Sequence, residues 1–487
     1  MMSSKKHVIL IQPKETDVDL VVNKPYLPLA LLSVSRYIHQ KYSVAIIDQR
    51  TDKAWKENLL EHLKKEVVCV GVSCLLGNQI KYTLEVSRFV KDHSSRPVIW
   101  GGVHYPAIIE QALKSPVVDG IVQGEGEETF AEVVGRLDSG QSLDNIPGYW
   151  TKEHSGSRAK TEIPFLDMEL LPNLPYYLTD LMNYRKYRGG DFSIPFESSR
   201  GCNFRCKFCA CPQYSGTWRG MSADKVISNI SYFTEELDIR TILIIDDNFF
   251  GDIERAKEIF LRLIDKKIKV NLDIQGMRVD TVEKMSDDDL RSMVKAGVRK
   301  VNIGVESGSP RILKFINKAI TVKQALEQNR RLYRYGPCAQ YNFITGYPTE
   351  TPEEIRETIA LALRLITENK KAMLNYFCIF VPLPGSKLYD YERERGVHLP
   401  ETIEEWSRYD RIFGSGCKNV EINKKLNIIS LFVDKKVCYY TQVPLLRLLA
   451  ALYKPVAKFR MRHFFFKGFL EGGIFMAINR LKFVIGK

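Results

Sequence analysis

Three of the ten cysteines in this 487-residue chain lie within eight residues of one another, at Cys202, Cys206 and Cys209. Thiolates are the preferred protein ligands of iron–sulfur clusters, and the spacing C-x-x-x-C-x-x-C allows one loop to hold three irons of a cubane. A structural zinc site would normally need a second pair of Cys or His ligands at comparable spacing, and none stands out. Three ligands would leave the fourth iron open, and an open iron can bind and reduce a substrate.

The other cysteines carry no comparable signal. Cys211 follows the motif by two residues, but a fourth protein ligand would block the open iron, so we expect it to be a bystander. The remaining six are isolated, and most stand in apolar runs that predict small buried side chains: Cys69, Cys74, Cys338, Cys378, Cys417 and Cys438. Ten cysteines are too few for a secreted disulfide scaffold, and no signal-peptide pattern opens the chain, so we expect a reducing, cytoplasmic compartment.

The elements around the motif must bring the cysteines to a ligand. Between residues 191 and 400, β-rich apolar runs alternate with amphipathic helical segments. The predicted strands are 194–197, 241–246, 270–275, 300–304, 339–344 and 374–380, and the predicted helices are 223–236, 254–266, 287–296, 322–335 and 353–367. Six such units predict a (β/α)6 partial TIM barrel, with chemistry at the carboxyl ends of the strands. The cysteines directly follow the first strand.

Residues 1–140 show a second α/β pattern. The predicted strands are 8–11, 44–48, 67–73, 98–100 and 120–122, and the predicted helices are 29–39, 79–92, 108–113 and 127–137. This alternation predicts a doubly wound, Rossmann-like parallel sheet, whose ligands bind beyond the carboxyl ends of the strands. Residues 141–190 contain four prolines that break the pattern, and we expect them to form a linker.

Two glycine-containing turns, at 101–106 and 124–127, follow strands of this N-terminal domain. Glycine allows a ligand to approach the backbone closely. Neither turn is a nucleotide signature, because the chain contains no G-x-x-x-x-G-K-[ST] phosphate loop and no G-x-G-x-x-G dinucleotide turn. The sequence therefore gives little support for a kinase, an ATPase or an ordinary dehydrogenase. On spacing alone, these could equally be ordinary tight turns between strand and helix.

With Phe208 at its aromatic position, the motif C-x-x-x-C-x-aromatic-C after the first barrel strand resembles the signature of the radical S-adenosylmethionine (SAM) superfamily. The resemblance implies a [4Fe–4S] cluster on Cys202, Cys206 and Cys209. The open iron would chelate SAM, and an electron from the cluster would cleave SAM to a 5′-deoxyadenosyl radical. By position, the resemblance assigns SAM contacts to Phe208, Asp247, Arg278, Glu306, Ser307 and Gly346.

These SAM contacts differ in their implied roles. Asp247 stands in a region that resembles the one holding the methionine amino group, and Arg278 is the candidate for the methionine carboxylate. Glu306 and Ser307 resemble the motif near the ribose, and Gly346 opens the turn near the adenine. Structural alternatives remain, since an aspartate pair can cap a helix, Arg278 can form a surface ion pair and Glu306 can be a buried structural carboxylate.

The N-terminal domain, placed directly before this barrel, resembles the cobalamin-binding domain of class B radical SAM methylases. The resemblance spans about residues 5–400 and implies cobalamin contacts at Gly101, Gly102, His104, Gly124 and Glu125. None of the eight histidines has an aspartate two positions before it, so the D-x-H-x-x-G motif of other cobalamin proteins is missing. Cobalt would therefore lack that histidine ligand, as is usual in this subfamily. A degenerate domain that has lost cobalamin is the alternative.

The last segment, residues 401–487, is predicted to be a helical, basic and amphipathic extension. The chain has a net charge of +13, and residues 441–487 contain nine Lys or Arg against one acid, Glu471. Apolar residues recur at helical spacing between Leu445 and Phe459. Basic residues beside Leu and Phe favour a helix lying on anionic lipid over a nucleic-acid groove. A terminal helix packed on the barrel is an equal alternative. No apolar run is long enough to predict a spanning helix.

The sequence thus predicts a cobalamin-dependent radical SAM enzyme that methylates an unactivated carbon of a hydrophobic or natural-product substrate. The second hypothesis is a radical-initiated cyclisation or other carbon–carbon rearrangement on a lipid or a porphyrin-like substrate. The expected partners are a small-molecule substrate, for which a lipid is one candidate, and an electron donor such as flavodoxin or ferredoxin. We also expect contact with a membrane surface through the C-terminus, and no nucleic acid. A binding module with an inactive cluster and a methylthiotransferase fit less well, because the three cysteines are intact and no further N-terminal cysteines cluster.

Overall fold

The computed structural model describes residues 5–15, 25–102, 106–154, 165–188, 192–409, 420–433, 444–468, 471 and 473. The chain divides into two compact units, one of Met1–Phe192 with Leu399–Asp410 and the other of Ser193–His398 with Arg411–Lys487. The first unit includes the described part of residues 141–190, the segment predicted to be a linker. The strand Tyr149–Thr151 extends the sheet of that unit, and the Tyr184 hydroxyl donates to Asp48 Oδ2 over 2.7 Å.

The first unit is built on a six-stranded sheet. Its strands are β1 His7–Gln12, β2 Ser43–Asp48, β3 Val67–Ser73, β4 Val98–Gly102, β5 Gly120–Gln123 and β6 Tyr149–Thr151. They lie in the order β2-β1-β3-β4-β5-β6, and all pairs are parallel except β5 with β6. Strands β1 and β3 are buried along their whole length, as continuous apolar runs covered on both faces require. The predicted doubly wound fold is confirmed.

Six helices accompany this sheet. They are α1 Leu29–Ser35, α2 Trp55–Leu63, α3 Gln79–His93, α4 Pro106–Leu113, α5 Glu127–Ser139 and α6 Leu181–Arg188. Short 3-10 turns occupy Lys152–His154 and Tyr176–Leu178. The helix predicted over 29–39 ends at Ser35, and hydrogen-bonded turns lead from there to Tyr42.

The second unit contains a six-stranded parallel sheet and a small hairpin. Its strands are β7 Ile194–Phe196, β8 Ser199–Arg200, β9 Arg219–Gly220, β10 Thr241–Ile244, β11 Asn271–Arg278, β12 Val298–Glu306, β13 Cys338–Thr345 and β14 Met373–Ile379. The sheet order β14-β13-β12-β11-β10-β7 makes successive strands neighbours, as in a barrel. The predicted partial barrel is confirmed. Strands β8 and β9 pair antiparallel and bracket the cysteine motif.

Helices follow the barrel strands. They are α7 Cys211–Tyr214, α8 Ala223–Glu235, α9 Ile253–Asp265, α10 Val279–Lys284, α11 Asp287–Lys295, α12 Pro310–Phe315, α13 Val322–Tyr335, α14 Pro352–Glu368 and α15 Lys387–Glu394. Seven begin at a capping side chain that accepts a hydrogen bond from the backbone N–H three residues later: Ser222, Asp252, Ser286, Ser309, Thr321, Thr351 and Ser386. Such caps satisfy N–H groups that the first helical turn leaves unpaired, which is why these helices begin where they do.

The two faces of the barrel sheet are distinguished by hydrogen bonds to the helices. Tyr341 of β13 is buried, and its hydroxyl donates to Asn329 Oδ1 of α13 over 2.8 Å. Because side chains alternate along a strand, Gln340 and Asn342 point to the opposite side, into the barrel lumen. Asn342 is the register partner of Gly304 in β12.

Three helices follow the barrel. Helix α16 Ile403–Ser407 packs in the first unit against α3, whereas α17 Val420–Ser430 and α18 Pro444–Arg462 belong to the second unit. Helix α17 packs on β14, and α18 packs on α14 and α17. The predicted alternative of a terminal helix resting on the barrel therefore describes one face of α18. Among the described residues, no helix combines the length and hydropathy needed to cross a membrane.

Candidate active site

The three cysteines stand on the loop between β8 and β9, just beyond the carboxyl end of β7. Gly201 opens this loop with a φ of 81°, and a Cβ at that position would overlap the Thr217 carbonyl oxygen. The loop is closed by its own backbone, because Cys202 N–H donates to Gly216 O over 3.4 Å and Cys209 N–H donates to Cys206 O over 3.1 Å. Only glycine combines the positive φ at position 201 with this close approach to the Thr217 carbonyl.

Neighbouring segments hold the cysteine loop from outside. Lys207 N–H donates to Ile316 O, and Leu388 N–H donates to Lys207 O, each over 2.9 Å. The Asn317 side chain donates to Arg205 O over 2.9 Å. Phe208, between two of the cysteines, packs in an apolar cluster with Tyr347 and other side chains. The loop is therefore preformed by contacts to α12, to the turn after it and to α15.

The thiol environments fit an iron–sulfur cluster. Cys202, Cys206 and Cys209 are partly exposed, whereas Cys211 is buried. A hydrogen bond from the Cys211 thiol lowers the pKa of Cys209, and burial raises the pKa of Cys202. Among the described residues, no three His, Cys, Asp or Glu side chains converge on a single metal ion. A cubane needs no such convergence, because each thiolate binds a different iron.

Two acidic residues follow β10 and have different roles. Asp246 is buried, and its carboxylate accepts hydrogen bonds from Ser198 N–H, Ser198 Oγ and Ser199 Oγ over 2.6–2.7 Å. Burial raises the pKa of Asp246, and the hydrogen bonds from Ser198 and Ser199 partly offset this rise. Asp247 is exposed, and its Oδ2 accepts from Gly201 N–H over 2.9 Å. The structure therefore places Asp247 directly beside the cysteine loop, and its contact with SAM stays a prediction.

Asn248 is a site residue that the sequence reasoning did not single out. Its side chain is 2% exposed, and neither its Oδ1 nor its Nδ2 has a hydrogen-bond partner among the described residues. An unsatisfied buried carboxamide is costly unless a ligand or water completes it. Its position next to Asp247, at a barrel strand end, was the signal that could have identified it.

Arg278 ends β11 and is buried against the cysteine loop. Its Nη1 lies 3.6 Å from Cys206 Sγ, its Nε donates to Asp280 Oδ1 over 2.8 Å and its Nη2 donates to Lys318 O over 2.6 Å. The guanidinium also lies over the Phe204 ring, 3.6 Å from the centroid. The predicted carboxylate ligand is thus at the cluster edge, but most of its donors are already engaged. The alternative of a surface ion pair does not describe this buried side chain.

Glu306 and Lys318 form a buried ion pair at the end of β12, with Nζ 2.9 Å from Oε1. Glu306 has a φ of 73°, and its carboxylate folds back over Gly304, where any Cβ would overlap Oε1. Lys318 was missed from sequence, because it lies in an irregular turn after α12 with no motif around it. Ser307 is fully buried, and its hydroxyl is hydrogen-bonded with Thr358 of α14 over 3.1 Å. The structure does not bring Ser307 into the lumen.

The turn after β13 combines an aromatic residue with an acid. Gly346 N–H donates to Glu350 Oε2 over 2.5 Å, and the buried ring of Tyr347 lies 6.0 Å from that of Phe208. Burial raises the pKa of Glu350 to about 7. The Tyr347 hydroxyl and Glu350 Oε1 have no partner among the described side chains. Both residues were within the predicted adenine turn but were not singled out.

The predicted cobalamin contacts lie at the carboxyl ends of β4 and β5. Gly101 and Gly102 end β4, and Gly124 follows β5. The space where a Cβ of Gly101 would stand is open, as a ligand resting on the backbone requires. Glu125 is buried, and its Oε2 accepts from Leu166 N–H over 2.9 Å, so this carboxylate positions the chain after β6. His104 lies outside the described residues.

Comparison with known proteins identifies the two units. The model of the radical SAM superfamily matches residues 196–362, and that of the B12 binding domain matches residues 16–134. An uncharacterized methyltransferase of Pyrococcus horikoshii is 31% identical over 422 residues, which is 84% of this chain and 87% of that protein. The chain belongs to the cobalamin-binding radical SAM family. The cofactors of this radical SAM enzyme are a [4Fe–4S] cluster, SAM and cobalamin.

Solved structures show the same fold. The cobalamin-dependent SAM radical enzyme OxsB, with aqua-cobalamin and SAM bound, has a TM-score of 0.73 at 19% identity. The match covers 94% of this chain and 72% of the OxsB chain. The radical SAM methyltransferase TsrM of Kitasatospora setae, with cobalamin and a [4Fe–4S] cluster bound, has a TM-score of 0.65 at 17% identity, covering 80% and 75%. In this radical SAM enzyme, Cys202, Cys206 and Cys209 would hold the cluster. Enzymes of the superfamily act on small molecules and need a reductant.

Proposed function

We propose that this enzyme transfers a methyl group to an unactivated carbon of a small molecule. The observation that carries the proposal is the convergence of three partly exposed cysteines with Asp247, Arg278 and Glu306 at one edge of the barrel. When bound, the cofactors supply a 5′-deoxyadenosyl radical that abstracts hydrogen and a methyl group carried by cobalamin. The relative in Pyrococcus horikoshii is named a methyltransferase, which supports this reaction.

The side chains around the cysteines have separate tasks in this proposal. The exposed carboxylate of Asp247 suits an ammonium group, and its second oxygen fixes the loop through Gly201. The buried pair Glu306–Lys318 brings one acceptor and one donor group close to Phe208 of the cysteine loop. Asn248 would complete its two missing hydrogen bonds with bound SAM. Arg278 then acts mainly on the cluster loop, since its donors already serve Cys206, Asp280 and Lys318.

The lumen below the ion pair favours a substrate with neutral hydrogen-bonding groups. Asn375 of β14 donates to Asn342 Oδ1 over 2.7 Å and accepts from Gln340 Nε2 over 3.2 Å. Asn302, the register partner of Gln340, has a buried Oδ1 with no partner among the described residues. Carboxamides recognise hydroxyl, amide or lactam groups without requiring a charge. We propose a largely apolar natural product that carries such a group.

Ring closure or carbon–carbon rearrangement is the second candidate. It is favoured by an anaerobic magnesium-protoporphyrin IX monomethyl ester cyclase of Rubrivivax gelatinosus, which is 25% identical over 362 residues, or 71% of this chain and 62% of that protein. A cyclase would use the same radical but would leave no new methyl group in its product.

Isotope transfer separates these two functions. Anaerobically reconstituted protein would be incubated with methyl-deuterated SAM, cobalamin and reduced flavodoxin, with and without small-molecule cell extract. Methylation predicts cobalamin-dependent S-adenosylhomocysteine, labelled methyl groups on extracted cobalamin and a labelled product. Formation of 5′-deoxyadenosine together with an unlabelled product made in high yield would overturn methylation in favour of the cyclase.

Metal and cofactor analysis checks the premises of this experiment. The purified enzyme should hold about four irons and about one cobalt per chain. A Cys206→Ala variant should lose the iron but keep the cobalt, because the two units fold around separate cores. Iron without cobalt in the wild type would remove cobalamin chemistry from the proposal.

A further inference from the structure

Helix α18 has one face packed on the barrel and one apolar face exposed. Ala457 and Met461 are buried where the helix meets α14 and α17. On the other side, Leu448, Leu452, Val456 and Phe459 are 57%, 67%, 45% and 58% exposed. Their spacings of four, four and three residues place them on a single stripe, because an α-helix has 3.6 residues per turn. We call these four residues the outer stripe.

The outer stripe is held outward by a well-anchored helix. The Arg460 guanidinium is buried and donates to both carboxylate oxygens of Glu471 over 2.7 Å, and the Tyr453 hydroxyl donates to Glu471 Oε1 over 2.6 Å. After the helix, the Phe464 ring lies under Arg356 of α14, 4.6 Å from its guanidinium. Rotating the stripe inward would break this buried network. Among the described residues, this network therefore holds the outer stripe away from the barrel.

The described, exposed basic side chains near the outer stripe stand at its C-terminal end. Glu471, the one acid in residues 441–487, is fully buried and neutralised by Arg460. Arg462 follows Phe459 by three residues and stands next to the stripe, and exposed Lys467 lies beyond the helix end. A contiguous apolar stripe on a monomer marks an interaction surface, and a basic rim selects an anionic partner.

We propose that the outer stripe docks this enzyme on the surface of a bilayer containing anionic lipid. Four apolar side chains at helical spacing with flanking Lys and Arg are the composition of a helix that lies in the interface plane. A protein partner would need an acidic patch shaped to the stripe, whereas an anionic bilayer supplies both an apolar layer and negative charge along the whole helix.

Vesicle co-sedimentation of the full-length protein tests this proposal. The probes are vesicles of phosphatidylcholine alone and of phosphatidylcholine with about one-third phosphatidylglycerol, at about 0.05 M and about 0.5 M NaCl. Wild-type protein should bind the anionic vesicles at low salt and at least about tenfold less with neutral lipid or at high salt. Equal binding to both vesicle types, or binding to neither, would overturn the proposal.

Two variants and two matched controls identify the surface. Leu448→Ser/Leu452→Ser/Phe459→Ser removes the stripe, and Arg462→Glu/Lys467→Glu reverses the charge beside it; each should reduce vesicle binding at least about tenfold. Leu261→Ser/Val294→Ser and Lys266→Glu/Lys323→Glu change exposed residues of the same kinds elsewhere on the barrel and should bind like wild type. Circular dichroism confirms folding, since all substituted side chains are at least partly exposed.

Sedimentation velocity without lipid tests the competing explanation, in which the outer stripe forms a dimer interface. A wild-type dimer that the stripe variant converts to a monomer would assign the stripe to a second copy of this chain and overturn the membrane proposal. Loss of vesicle binding in Lys266→Glu/Lys323→Glu would show a non-specific charge effect and would also overturn it. These readouts need no cofactor, so they are independent of the proposed reaction.

Discussion

The Arg278 guanidinium lies 3.6 Å from the Cys206 thiol and is held there by Asp280 and by the Lys318 carbonyl. An N–H donor that points at a cluster sulfur stabilises the added electron, so the reduced cluster is favoured. The sequence predicts that Arg278 binds the carboxylate of SAM, and this contact with Cys206 supports a second role, toward the cluster, that the next experiment tests.

Replacing Arg278 by Gln should make the cluster harder to reduce. We expect the midpoint potential to become more negative by several tens of millivolts, because one charge-assisted hydrogen bond is removed. Electron paramagnetic resonance during a redox titration measures this shift. Arg205→Gln is the matched control, since the Arg205 guanidinium donates to the backbone carbonyls of Cys202 and Phe204 rather than to a thiol. An unchanged potential in Arg278→Gln would contradict the role.

Cys211 should be dispensable for iron binding. In Cys211→Ala, the iron content should stay at about four per chain, whereas Cys209→Ala should lose most of it. Because the Cys211 thiol donates to Cys209, its removal should raise the pKa of Cys209 in the apoprotein. Alkylation of Cys209 followed by mass spectrometry should then require a higher pH. Loss of iron from Cys211→Ala would instead make this residue a ligand.

Breaking the Glu306–Lys318 pair should cost far more than breaking an exposed pair. Glu306→Gln leaves the buried Lys318 ammonium without its partner, and we expect the free energy of unfolding to fall by about 3–5 kcal/mol. Glu306→Gln/Lys318→Met should recover much of this loss. The exposed pair Lys323–Glu327 is the control, and Glu327→Gln should cost no more than about 1 kcal/mol. Urea unfolding followed by fluorescence measures the three variants.

Glu350 should make the barrel less stable as the pH rises. Its pKa is raised to about 7 from the usual 4.5, so the folded protein binds the extra proton between these values. The stabilisation is complete below about pH 4.5 and is lost as the pH rises through about 7, with a total of up to about 3 kcal/mol. Glu350→Gln should remove this dependence. Glu357→Gln, on the exposed face of α14, should retain it in urea unfolding measured from pH 5 to 8.

The strands were predictable from sequence because each carries a short apolar run or an alternation of apolar and polar residues. Each barrel strand lies within about four residues of its predicted ends, and buried residues alternate with partly exposed ones along β12 and β13. Helix α2 was not predicted, because only Trp55 and Leu59 of its nine residues are buried and its periodicity is weak. Strand β6 was hidden in the apparent linker, since three residues are too few to show an alternation.

The site was predictable where local spacing encodes the chemistry. The cysteine triplet and Asp247 belong to short motifs that stand beside strand ends, and the structure brings them together. Lys318 and Asn302 reach the lumen only through the tertiary fold, so no local pattern indicates them. Ser307 shows the converse, because it belongs to a motif but is used to pack β12 against α14.

The hydrogen bonds that hold the cysteine loop set the order in which the enzyme can mature. Backbone groups of Arg205 and Lys207 pair with Asn317, Ile316 and Leu388, which are synthesised more than 100 residues later. A ribosome that has made only the cysteines cannot yet present them in this conformation. The described loop conformation can therefore form only after the chain has passed Leu388, and we expect a nascent chain stalled before that point to leave its cysteines accessible to oxidation.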